Sequence, residues 1–513
     1  MSNYAVAEKA RHESAPRIER DPAVLSSFLN DAAHVPDGFA AGVAFPKSEG
    51  EVAALVAAAD RVLPIGAQSS LTGGATPRGD LVLSTRGLGD VDEPTGNVVR
   101  VGAGVSLTTL QAHLAARRLY YPPVPTYAGA FVGGTIATNA AGAATFKYGS
   151  TRPWVHGITV VLASGDVLRL RRGDVLASAD GRFEIRQSSG DVIHIRVPTY
   201  SMPDVATLSA GYFVRPGMDL IDLFIGSEGT LGVIVDATLN VLPRQRRAVA
   251  LIHCENDDRA MAVTAALRSE ASEAWAHRGP LDVAAIEYMD ARALRAVPDD
   301  AFTKANVQRP DGESALLMVQ IEVASDEEPA LSRLQAVLDS CGVTDEAAIA
   351  APDDDRGAQQ LFDLREAVPA SVNALVAAAK ARAHPDIEKT AGDMVVPFSR
   401  LADSLVLYRA AFERRGLDYA IWGHVSDGNL HPNVIPRSLD DVQRGREAIL
   451  EIGRGVIAMG GAPLAEHGVG RSALKQQLLV ELYGEGGVEQ MRRVKRALDP
   501  QGKLAPGVLI PLP

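Results

Sequence analysis

Two histidines frame a turn sequence in the second half of the chain. Apolar and β-branched residues predict a strand over Tyr419–His424 and another over Leu430–Ile435, and Ser426–Asn429 between them has the composition of a turn. A hairpin of this kind would place His424 opposite His431, and directly opposed Cβ atoms lie about 4.5–5.5 Å apart. Two imidazoles at that separation can bind one cation, so the pair predicts a metal site.

A carboxylate for the same site follows the next predicted helix. Apolar residues at helical spacing over 449–457 predict a helix that ends at Gly460-Gly461, and Glu466 and His467 come shortly after it. Two neutral imidazoles and one carboxylate suit a divalent Zn, Mn or Fe ion, and the ligand types do not choose among them. One histidine alone is more often structural, but this combination is hard to explain by packing.

The bulk composition restricts the class of protein that carries these residues. A chain of 513 residues is long enough for two or more domains. Its formal charge is 51 − 63 = −12, which argues against a general nucleic-acid binder and against docking on anionic lipid by charge alone. No transmembrane segment or signal peptide is predicted, so the cytoplasm is the default, with peripheral attachment to the inner membrane left open. Cys254 and Cys341 are expected to be buried thiols.

The predicted secondary structure that must position the site changes near residue 245. Short strands separated by turns precede that point, including predicted hairpins over 158–170 and 183–197. After it, strands and helices alternate, which predicts an α+β sheet covered by helices on one face. Polar residues with two prolines predict a surface loop over Asp299–Gly312. We therefore expect one domain over 1–245, a second over 246–498 with the metal site, and a final segment, 499–513.

Three glycine-rich stretches occur in the first half: Pro64–Gly74, Gly133–Gly142 and Phe224–Ile234. Backbone N–H groups without side chains around them can form a concave anion site, and a pyrophosphate is the obvious occupant. Glycines at turns need no ligand, so each stretch alone could equally be structural. No G-x-G-x-x-G opens a helix and no P-loop sequence is present, which excludes Rossmann and Walker sites.

These stretches resemble the motifs of one flavoprotein family. Gly226–Gly232 reads GSEGTLG, Gly133–Gly142 is similar to the family's GG…ATNAGG, and Gly66–Gly74 is similar to its pyrophosphate loop. The chain resembles flavoproteins with the vanillyl-alcohol-oxidase type FAD fold, and within them the D-lactate, glycolate and D-2-hydroxyglutarate dehydrogenases, from Val43 to Gly507. The resemblance implies an α+β, two-subdomain FAD-binding domain, a ferredoxin-like α+β substrate cap, and a 499–513 segment that returns to the flavin.

The resemblance also implies which residues bind the cofactor. No histidine lies in the Gly66–Gly74 loop, where some relatives attach flavin covalently, so non-covalent FAD is expected. The chain departs from the family at Ala505, which replaces an asparagine, and at Val425-Ser426, and its 173–211 and 366–393 stretches are longer. The implied FAD-binding residues are Pro64, Ile65, Gly66, Ala67, Gln68, Ser69, Ser70, Leu71, Gly73, Pro123, Gly133, Gly134, Ala137, Thr138, Gly142, Glu228, Gly232 and Ile234.

By the same resemblance, GH-x-x-DGN-x-H and EHG-V-G are metal and catalytic motifs. His424, His431 and Glu466 would hold the cation, and His467 would act as general base. A guanidinium suits a substrate carboxylate, and Arg365 matches the family's carboxylate-binding arginine. The resemblance leaves two further residues open. Lys389 is a second candidate for the carboxylate, and Asn429 would either bind substrate or flavin or serve the turn.

The predicted reaction is FAD-dependent oxidation of a D-2-hydroxy acid to the 2-oxo acid. The cation would acidify the substrate hydroxyl and the flavin would accept hydride at N5. An external electron acceptor is required, and quinone, cytochrome, an electron-transfer protein and oxygen all stay open, as do the particular acid and a homodimer. Two alternatives are kept: a flavin-dependent transferase like the alkyl-glycerone-phosphate synthases, and a non-catalytic flavin-binding subunit of a larger complex.

Overall fold

The first half of the chain forms two main sheets with few helices. A computed structural model describes residues 2–345 and 347–510. The strands of this half are β1 (Tyr4–Lys9), β2 (Ile18–Glu19), β3 (Phe39–Ala44), β4 (Val62–Ile65), β5 (Arg78–Ser84), β6 (Val98–Gly102), β7 (Leu119–Tyr120), β8 (Val155–Val161), β9 (Asp166–Arg171), β10 (Arg182–Arg186), β11 (Val192–Arg196), β12 (Val233–Asn240) and β13 (Leu242–Pro243). Its helices are α1 (Pro22–Leu25), α2 (Glu49–Ala58), α3 (Leu107–Ala115), α4 (Val132–Ala137), α5 (Thr145–Tyr148) and α6 (Ile221–Phe224).

The two sheets differ in strand direction. A four-stranded sheet has the order β2-β3-β5-β4, in which β5 is parallel to both β3 and β4. A seven-stranded sheet has the order β11-β10-β1-β9-β8-β12-β6 and is antiparallel except where β1 meets β10. The parallel strand β4 leads directly into the Gly66–Gly74 loop, so the first glycine-rich stretch begins at the end of a buried strand.

The second half is built on one eight-stranded sheet. Its strands are β14 (Arg246–Cys254), β15 (Asp282–Met289), β16 (Ala315–Val323), β17 (Ala348–Ala350), β18 (Thr390–Ala391), β19 (Met394–Val395), β20 (Tyr419–His424) and β21 (Asn429–Val434), in the order β17-β14-β16-β15-β20-β21-β18, with β19 also paired to β21. Its helices are α7 (Asp257–Trp275), α8 (Ala291–Ala296), α9 (Asp299–Lys304), α10 (Glu328–Ser340), α11 (Asp355–Arg382), α12 (Leu401–Glu413), α13 (Leu439–Ala458) and α14 (Ala473–Leu498).

Helices cover both faces of this sheet, so the prediction of helices on one face is wrong. Leu267 of α7 and Leu334 of α10 pack in the same apolar cluster as Ile286 of β15. Leu364 of α11 packs in a second cluster with Met318 of β16. The physical reason is visible in β16, where all nine residues are buried. A strand that is apolar on both faces must be covered on both.

The predicted surface loop over 299–312 is also partly wrong, because it begins with helix α9. Pro298 supplies the extended residue before the helix, and Asp299 and Asp300 place negative charge in its first turn, where the helix dipole favours it. Phe302 is buried against the core and fixes the helix. Polar composition therefore concealed a short helix that one aromatic residue attaches to the protein.

The chain crosses from the first sheets to the last between Pro243 and Arg246. Near its end it returns to β4, where Val62 donates to the carbonyl of Lys503 at 2.8 Å and Ala505 donates to that of Val62 at 2.7 Å. The division into domains at 245 and 498 stays a prediction. Within the 173–211 stretch, β10 and β11 extend the edge of the seven-stranded sheet, and Ser209 donates to the carbonyl of Leu464 at 3.2 Å.

The three longest helices all lie in the second half. Helix α11 has 28 residues, α14 has 26 and α13 has 20, and each buries one side while exposing charged residues on the other. Within 2–345 and 347–510, none of the helices has the length and apolar composition needed to span a bilayer.

Candidate active site

The two histidines of the predicted hairpin lie near its turn. β20 and β21 are antiparallel, with Trp422 opposite His431 and His424 opposite Asn429. His424 and His431 are therefore diagonal neighbours, and the prediction that they face each other directly is wrong. The register is set by the turn, which Gly428 closes with a φ of +81°. Diagonal neighbours are still within reach, and the two ring centroids are 5.6 Å apart.

The Glu466 carboxylate lies between three imidazoles. Its Oε1 is 3.2 Å from Nε2 of His431 and 3.4 Å from Nε2 of His467. Its Oε2 is 3.4 Å from Nε2 of His424. The ring of His467 stacks on that of His431, with centroids 5.0 Å apart. The structure thus brings the three predicted cation ligands and the predicted base into one cluster.

A buried carboxylate from β15 contacts the Nδ1 side of His424. Glu287 hydrogen-bonds Nδ1 of His424 and accepts from Nε of Arg365 at 2.7 Å. Burial alone would raise the pKa of Glu287, but the charges of Arg365 and His424 lower it to about 2. Glu287 is therefore ionised at neutral pH, and it leaves only Nε2 of His424 available to a cation.

A second buried carboxylate, Asp393, supports the segment that carries Glu466 and His467. Its Oδ2 accepts the backbone N–H of Glu466 at 3.1 Å and that of His467 at 2.8 Å. Its side chain also lies 3.6 Å from Nζ of Lys475, at the start of α14. Burial would raise the pKa of Asp393, but His467 and Lys475 lower it to about 2. The loop after α13 is thus fixed by a charged group from the strand region before α12.

The donor atoms of the cluster suit a divalent cation. Within the described residues, Oε2 of Glu466 and Nδ1 of His431 have no hydrogen-bond partner. A buried carboxylate oxygen without a partner, facing imidazole nitrogens, is an environment that a cation satisfies. Asp393, His431, Glu466 and His467 also offer one ligand atom each, all within 4.8 Å of one another. Two overlapping ligand sets therefore exist, and neither selects a particular metal.

A cavity of about 790 Å³ adjoins this cluster, and Glu466 and His467 form part of its wall. This volume falls within the roughly 300–1,000 Å³ of cofactor and ligand sites. Gly73, Pro123 and Gly142 do not line it. The other predicted FAD-binding residues all do: Pro64, Ile65, Gly66, Ala67, Gln68, Ser69, Ser70, Leu71, Gly133, Gly134, Ala137, Thr138, Glu228, Gly232 and Ile234.

The loop after β4 has the properties of an anion site. Gln68 has a φ of +57°, and its side chain donates to the carbonyl of Asn30 at 2.7 Å, which fixes the loop. Within the described part of the chain, the backbone N–H groups of residues 67–71 donate to no protein acceptor. A Cβ added at Gly134 would meet nothing within 4 Å, so the backbone there is open to the cavity. Free N–H groups and an open backbone suit a pyrophosphate.

Glu228 connects the cavity to the segment that carries Glu466 and His467. Its carboxylate accepts the backbone N–H groups of Val469 and Gly470, both at 2.8 Å. Burial raises the pKa of Glu228 to about 7, against the lowering effect of these two hydrogen bonds. The GSEGTLG motif is thereby joined to the Glu-His-Gly segment, so a cofactor in the cavity lies beside His467.

The remaining predicted site residues lie outside the cavity wall. Arg365 is only 6% exposed and its guanidinium is paired with Glu287 and Glu366. Asn429 donates to the carbonyl of Met394 at 3.0 Å, which holds β21 to β19. None of the three, Arg365, Lys389 and Asn429, lines the large cavity.

Lys389 lies 5.7 Å above the Trp422 ring and forms no ion pair with any residue that the structure describes. Burial lowers its pKa to about 8. Such a lysine is a cation in an apolar environment without a carboxylate to compensate it.

Several residues of the site were not predicted from the sequence. The wall of the cavity also includes a segment over 30–34, another over 125–127, Phe131 and Val508, and none of these carries a motif. Glu287 offered a signal that was missed, since an ionisable residue inside an apolar strand is unusual. Asp393 followed Lys389 closely but was not distinguished from other acidic residues.

Two family models match this chain. The model described as FAD linked oxidases, C-terminal domain, matches residues 243–509, more than half of the chain, and the model described as FAD binding domain matches residues 40–171. The chain belongs to the FAD-linked oxidase family. Together, the matched residues include His424, His431, Glu466 and His467 and two of the three glycine-rich stretches.

Similar proteins support the same assignment for this FAD-linked oxidase. It is 27% identical over 455 residues to a glycolate oxidase subunit GlcD of Bacillus subtilis, covering 87% of this chain and 83% of the relative. It is 29% identical over 515 residues to a D-2-hydroxyglutarate dehydrogenase of Xanthomonas citri, covering 96% and 94%. A solved alkyldihydroxyacetonephosphate synthase structure superposes with a TM-score of 0.61 at 14% identity, covering 96% of this chain and 86% of that one, which shows the shared fold alone.

Proposed function

We propose that this FAD-linked oxidase converts a D-2-hydroxy acid to the 2-oxo acid. The observation that carries the proposal is the position of Glu466 and His467, which belong both to the wall of the large cavity and to the carboxylate–histidine cluster. A substrate at this junction would lie between the flavin and a base. The names of the two relatives, which refer to glycolate and D-2-hydroxyglutarate, support a 2-hydroxy acid as substrate.

The protein groups divide the work of removing a hydride and a proton. His467 is partly exposed toward the cavity, and its Nε2 would take the hydroxyl proton. FAD in the cavity supplies the acceptor, N5, for the hydride that leaves the carbinol carbon. His424, His431 and Glu466 would hold a divalent cation, which supplies Lewis-acid chemistry toward the hydroxyl. The flavin must then be reoxidised by an external acceptor, whose identity stays open.

The substrate carboxylate needs a cationic partner, and charge compensation favours Lys389 over Arg365. The Arg365 guanidinium is buried and already compensated by two carboxylates. Lys389 is uncompensated, and it precedes β18, which pairs with β21 only two residues beyond His431. A carboxylate bound to Lys389 would remove the cost of its uncompensated charge. We therefore propose Lys389 as the carboxylate-binding residue and Arg365 as the partner of Glu287.

Anaerobic mixing of the FAD-loaded protein with single hydroxy acids tests the proposal. D-lactate, D-2-hydroxyglutarate and glycolate are compared, with the L-enantiomers of the two chiral acids as controls, and the cation content is determined on the same sample. We expect one D-acid to bleach the absorbance of oxidised flavin while its L-enantiomer does not. If FAD and cation are bound and a broad panel of 2-hydroxy acids causes no bleaching, the proposal is wrong.

Two alternatives predict other outcomes of the same experiment. A flavin-dependent transferase, which the alkyldihydroxyacetonephosphate synthase fold keeps open, would show no net flavin reduction by any hydroxy acid. One relative is named as a subunit, which keeps open a non-catalytic role in a larger complex. Such a subunit would bind FAD, its flavin would not be reduced by any hydroxy acid, and it would copurify with partner chains. Bleaching of the isolated chain by a D-acid contradicts both.

A further inference from the structure

Each of the three imidazoles around Glu466 has a buried carboxylate on its Nδ1 side. Nδ1 of His424 hydrogen-bonds Glu287. Nδ1 of His431 lies 3.7 Å from Oδ1 of Asp393, and Nδ1 of His467 lies 3.5 Å from Oδ2 of the same residue. A carboxylate beside one ring nitrogen keeps the proton there and leaves the lone pair of the other nitrogen free. The Nε2 atoms of all three rings face Glu466, and of the three Nδ1 contacts the one between His424 and Glu287 is a hydrogen bond among the described residues.

Backbone and amide N–H groups occupy most hydrogen-bond acceptor positions of the Asp393 carboxylate. Its Oδ2 accepts the N–H groups of Glu466 and His467, and its Oδ1 faces the side-chain amide of Asn429 at 3.3 Å. Lys475 adds a positive charge at 3.6 Å. A carboxylate has about four acceptor positions, so the one that remains is the one toward His431. Little is left for a cation, although Asp393 is close enough to be considered a ligand.

We propose that Asp393 is a positioning residue and not a cation ligand. It holds the backbone of Glu466 and His467 by two hydrogen bonds, and its remaining acceptor position faces Nδ1 of His431, which favours the tautomer that presents Nε2 to the cation. One carboxylate would therefore control both a cation ligand and the base. The proposal deepens the proposed function and rests on it for the role of His467.

The first experiment compares Asp393→Asn with wild type, using Co²⁺ titration of the FAD-loaded protein. Asparagine keeps the shape and can accept the two backbone N–H groups, but its amide then faces Nδ1 of His431 as a donor. We expect Co²⁺ affinity to fall about 10- to 100-fold, as for other outer partners of metal-binding histidines. At saturating Co²⁺ the visible absorption bands should be unchanged, because the ligand set is the same.

The outcomes separate the two roles of Asp393. Altered bands at saturation would mean that a ligand has been lost, and unchanged affinity would mean that Asp393 does not hold the histidines. Either result overturns the proposal. In the variant saturated with cation, kcat should fall more than KM changes, because the carboxylate charge beside His467 is lost. Glu287→Gln should lower Co²⁺ affinity in the same way through His424. Glu366→Gln, which removes the other carboxylate paired with Arg365 and leaves Glu287 in place, is the matched control and should not change Co²⁺ affinity.

A measurement on the wild-type protein keeps the proposal testable if Asp393→Asn does not fold. Protein labelled with ¹⁵N-histidine is examined by long-range ¹H–¹⁵N spectra with and without Zn²⁺. The histidines that respond to Zn²⁺ should carry their proton on Nδ1, and a responding histidine protonated on Nε2 alone would contradict the proposal. Neither readout uses a hydroxy acid, so failure of the proposed reaction in the bleaching experiment is distinguishable from failure of this inference.

Discussion

His467 and His424 lie next to the same carboxylate but have different surroundings. His424 is fully enclosed and held by Glu287, whereas His467 is partly exposed and lines the cavity. At the residue scale, a buried histidine with a carboxylate behind it is suited to hold a cation, and an accessible one is suited to exchange protons with a substrate.

The first prediction contrasts these two histidines. We expect His467→Ala to keep FAD and cation while turnover falls by about 10²- to 10⁴-fold, the usual contribution of a general base. We expect His424→Ala to lose the cation. Metal analysis, flavin absorbance and steady-state kinetics check both, and His194→Ala, an exposed histidine on β11, is the control. If both variants retain cation and activity, the assigned roles are wrong.

The second prediction concerns the two basic candidates for the substrate carboxylate. We expect Lys389→Met to raise KM roughly 10- to 150-fold with a smaller effect on kcat, which corresponds to about 1.5–3 kcal/mol for a hydrogen bond to a charged group. Lys380→Met, an exposed lysine near the end of α11, should leave KM unchanged. An unchanged KM in Lys389→Met would remove this residue from the substrate site.

Arg365→Met should behave differently from Lys389→Met, because it removes the guanidinium that pairs with the buried Glu287 carboxylate. Breaking a buried ion pair on one side costs about 3–5 kcal/mol of stability. We expect a loss of that order in denaturant unfolding of the FAD-loaded protein. A stable Arg365→Met variant with raised KM would instead favour Arg365 as the carboxylate-binding residue.

The third prediction is a pH dependence that comes from Glu228. Its pKa is raised from 4.5 to about 7, so the folded protein holds a proton that the unfolded chain has already lost. The stability that this provides is fully present below pH 4.5 and is lost as the pH rises through 7. In the cofactor-free protein, the Tm advantage of wild type over Glu228→Gln should therefore shrink from pH 5 to pH 8, by the equivalent of about 1–3 kcal/mol.

Melting curves at several pH values check the Glu228 prediction. Glu485→Gln, an exposed carboxylate on α14, is the control and should follow wild type at every pH. If the Tm difference between wild type and Glu228→Gln stays constant between pH 5 and pH 8, Glu228 does not titrate in this range in the folded protein.

At the scale of elements, the β20–β21 hairpin is the unit that makes the site. Its turn depends on Gly428, which has a φ of +81° and where an added Cβ would overlap the carbonyl oxygen of Val396. A side chain there meets both a strained backbone and an occupied space. The hairpin register, and with it the separation of His424 and His431, should therefore be sensitive to this position.

The fourth prediction uses a matched pair of glycines. We expect Gly428→Ala to lower both stability and cation affinity, since the turn must move to admit the methyl group. Gly416→Ala has a φ of +60° but open space around the added Cβ, so it should cost only the roughly 1–3 kcal/mol of backbone strain and should keep the cation. Equal cation affinity in the two variants would mean that the turn does not set the ligand geometry.

At the scale of the whole molecule, a buried network of ion pairs links the eight-stranded sheet to the first half of the chain. Glu322 of β16 accepts from Lys147 and Tyr148 of α5, both at 2.6 Å, and from Arg247 of β14 at 2.9 Å. Burial would raise the pKa of Glu322, but these partners lower it. The glycine-rich part of the cavity wall comes from the first half and the carboxylate–histidine cluster from the second, so this network helps to fix their distance.

The fifth prediction is that Glu322→Gln weakens this attachment. Removing one member of a buried ionic network costs about 3–5 kcal/mol. We expect lower thermal stability and a lower kcat/KM without a change in cation content. Glu270→Gln removes a pair with Arg333 on the surface of the second half and should cost about 0–1 kcal/mol. Equal effects of the two substitutions would show that the network does not join the halves.

The sequence by itself determined which segments line the large cavity and which side chains meet in the carboxylate–histidine cluster. Glycines after a strand and the His–Asp-Gly-Asn–His and Glu-His-Gly sequences are local patterns, and most strands of both halves followed from alternation and turn residues. Local patterns also misled, because Asp299–Lys304 forms a helix that a single buried phenylalanine, Phe302, attaches to the core.

Only the tertiary structure decided how these groups are oriented. The register of β20 and β21 made His424 and His431 diagonal neighbours, and strands distant in sequence supplied Glu287 and Asp393 on their Nδ1 sides. Arg365, which the sequence predicts as a substrate ligand, is paired with the buried carboxylate of Glu287. The physical reason is that a local pattern fixes residue types and spacing, whereas hydrogen bonds and charge compensation in a core depend on which distant segments are packed there.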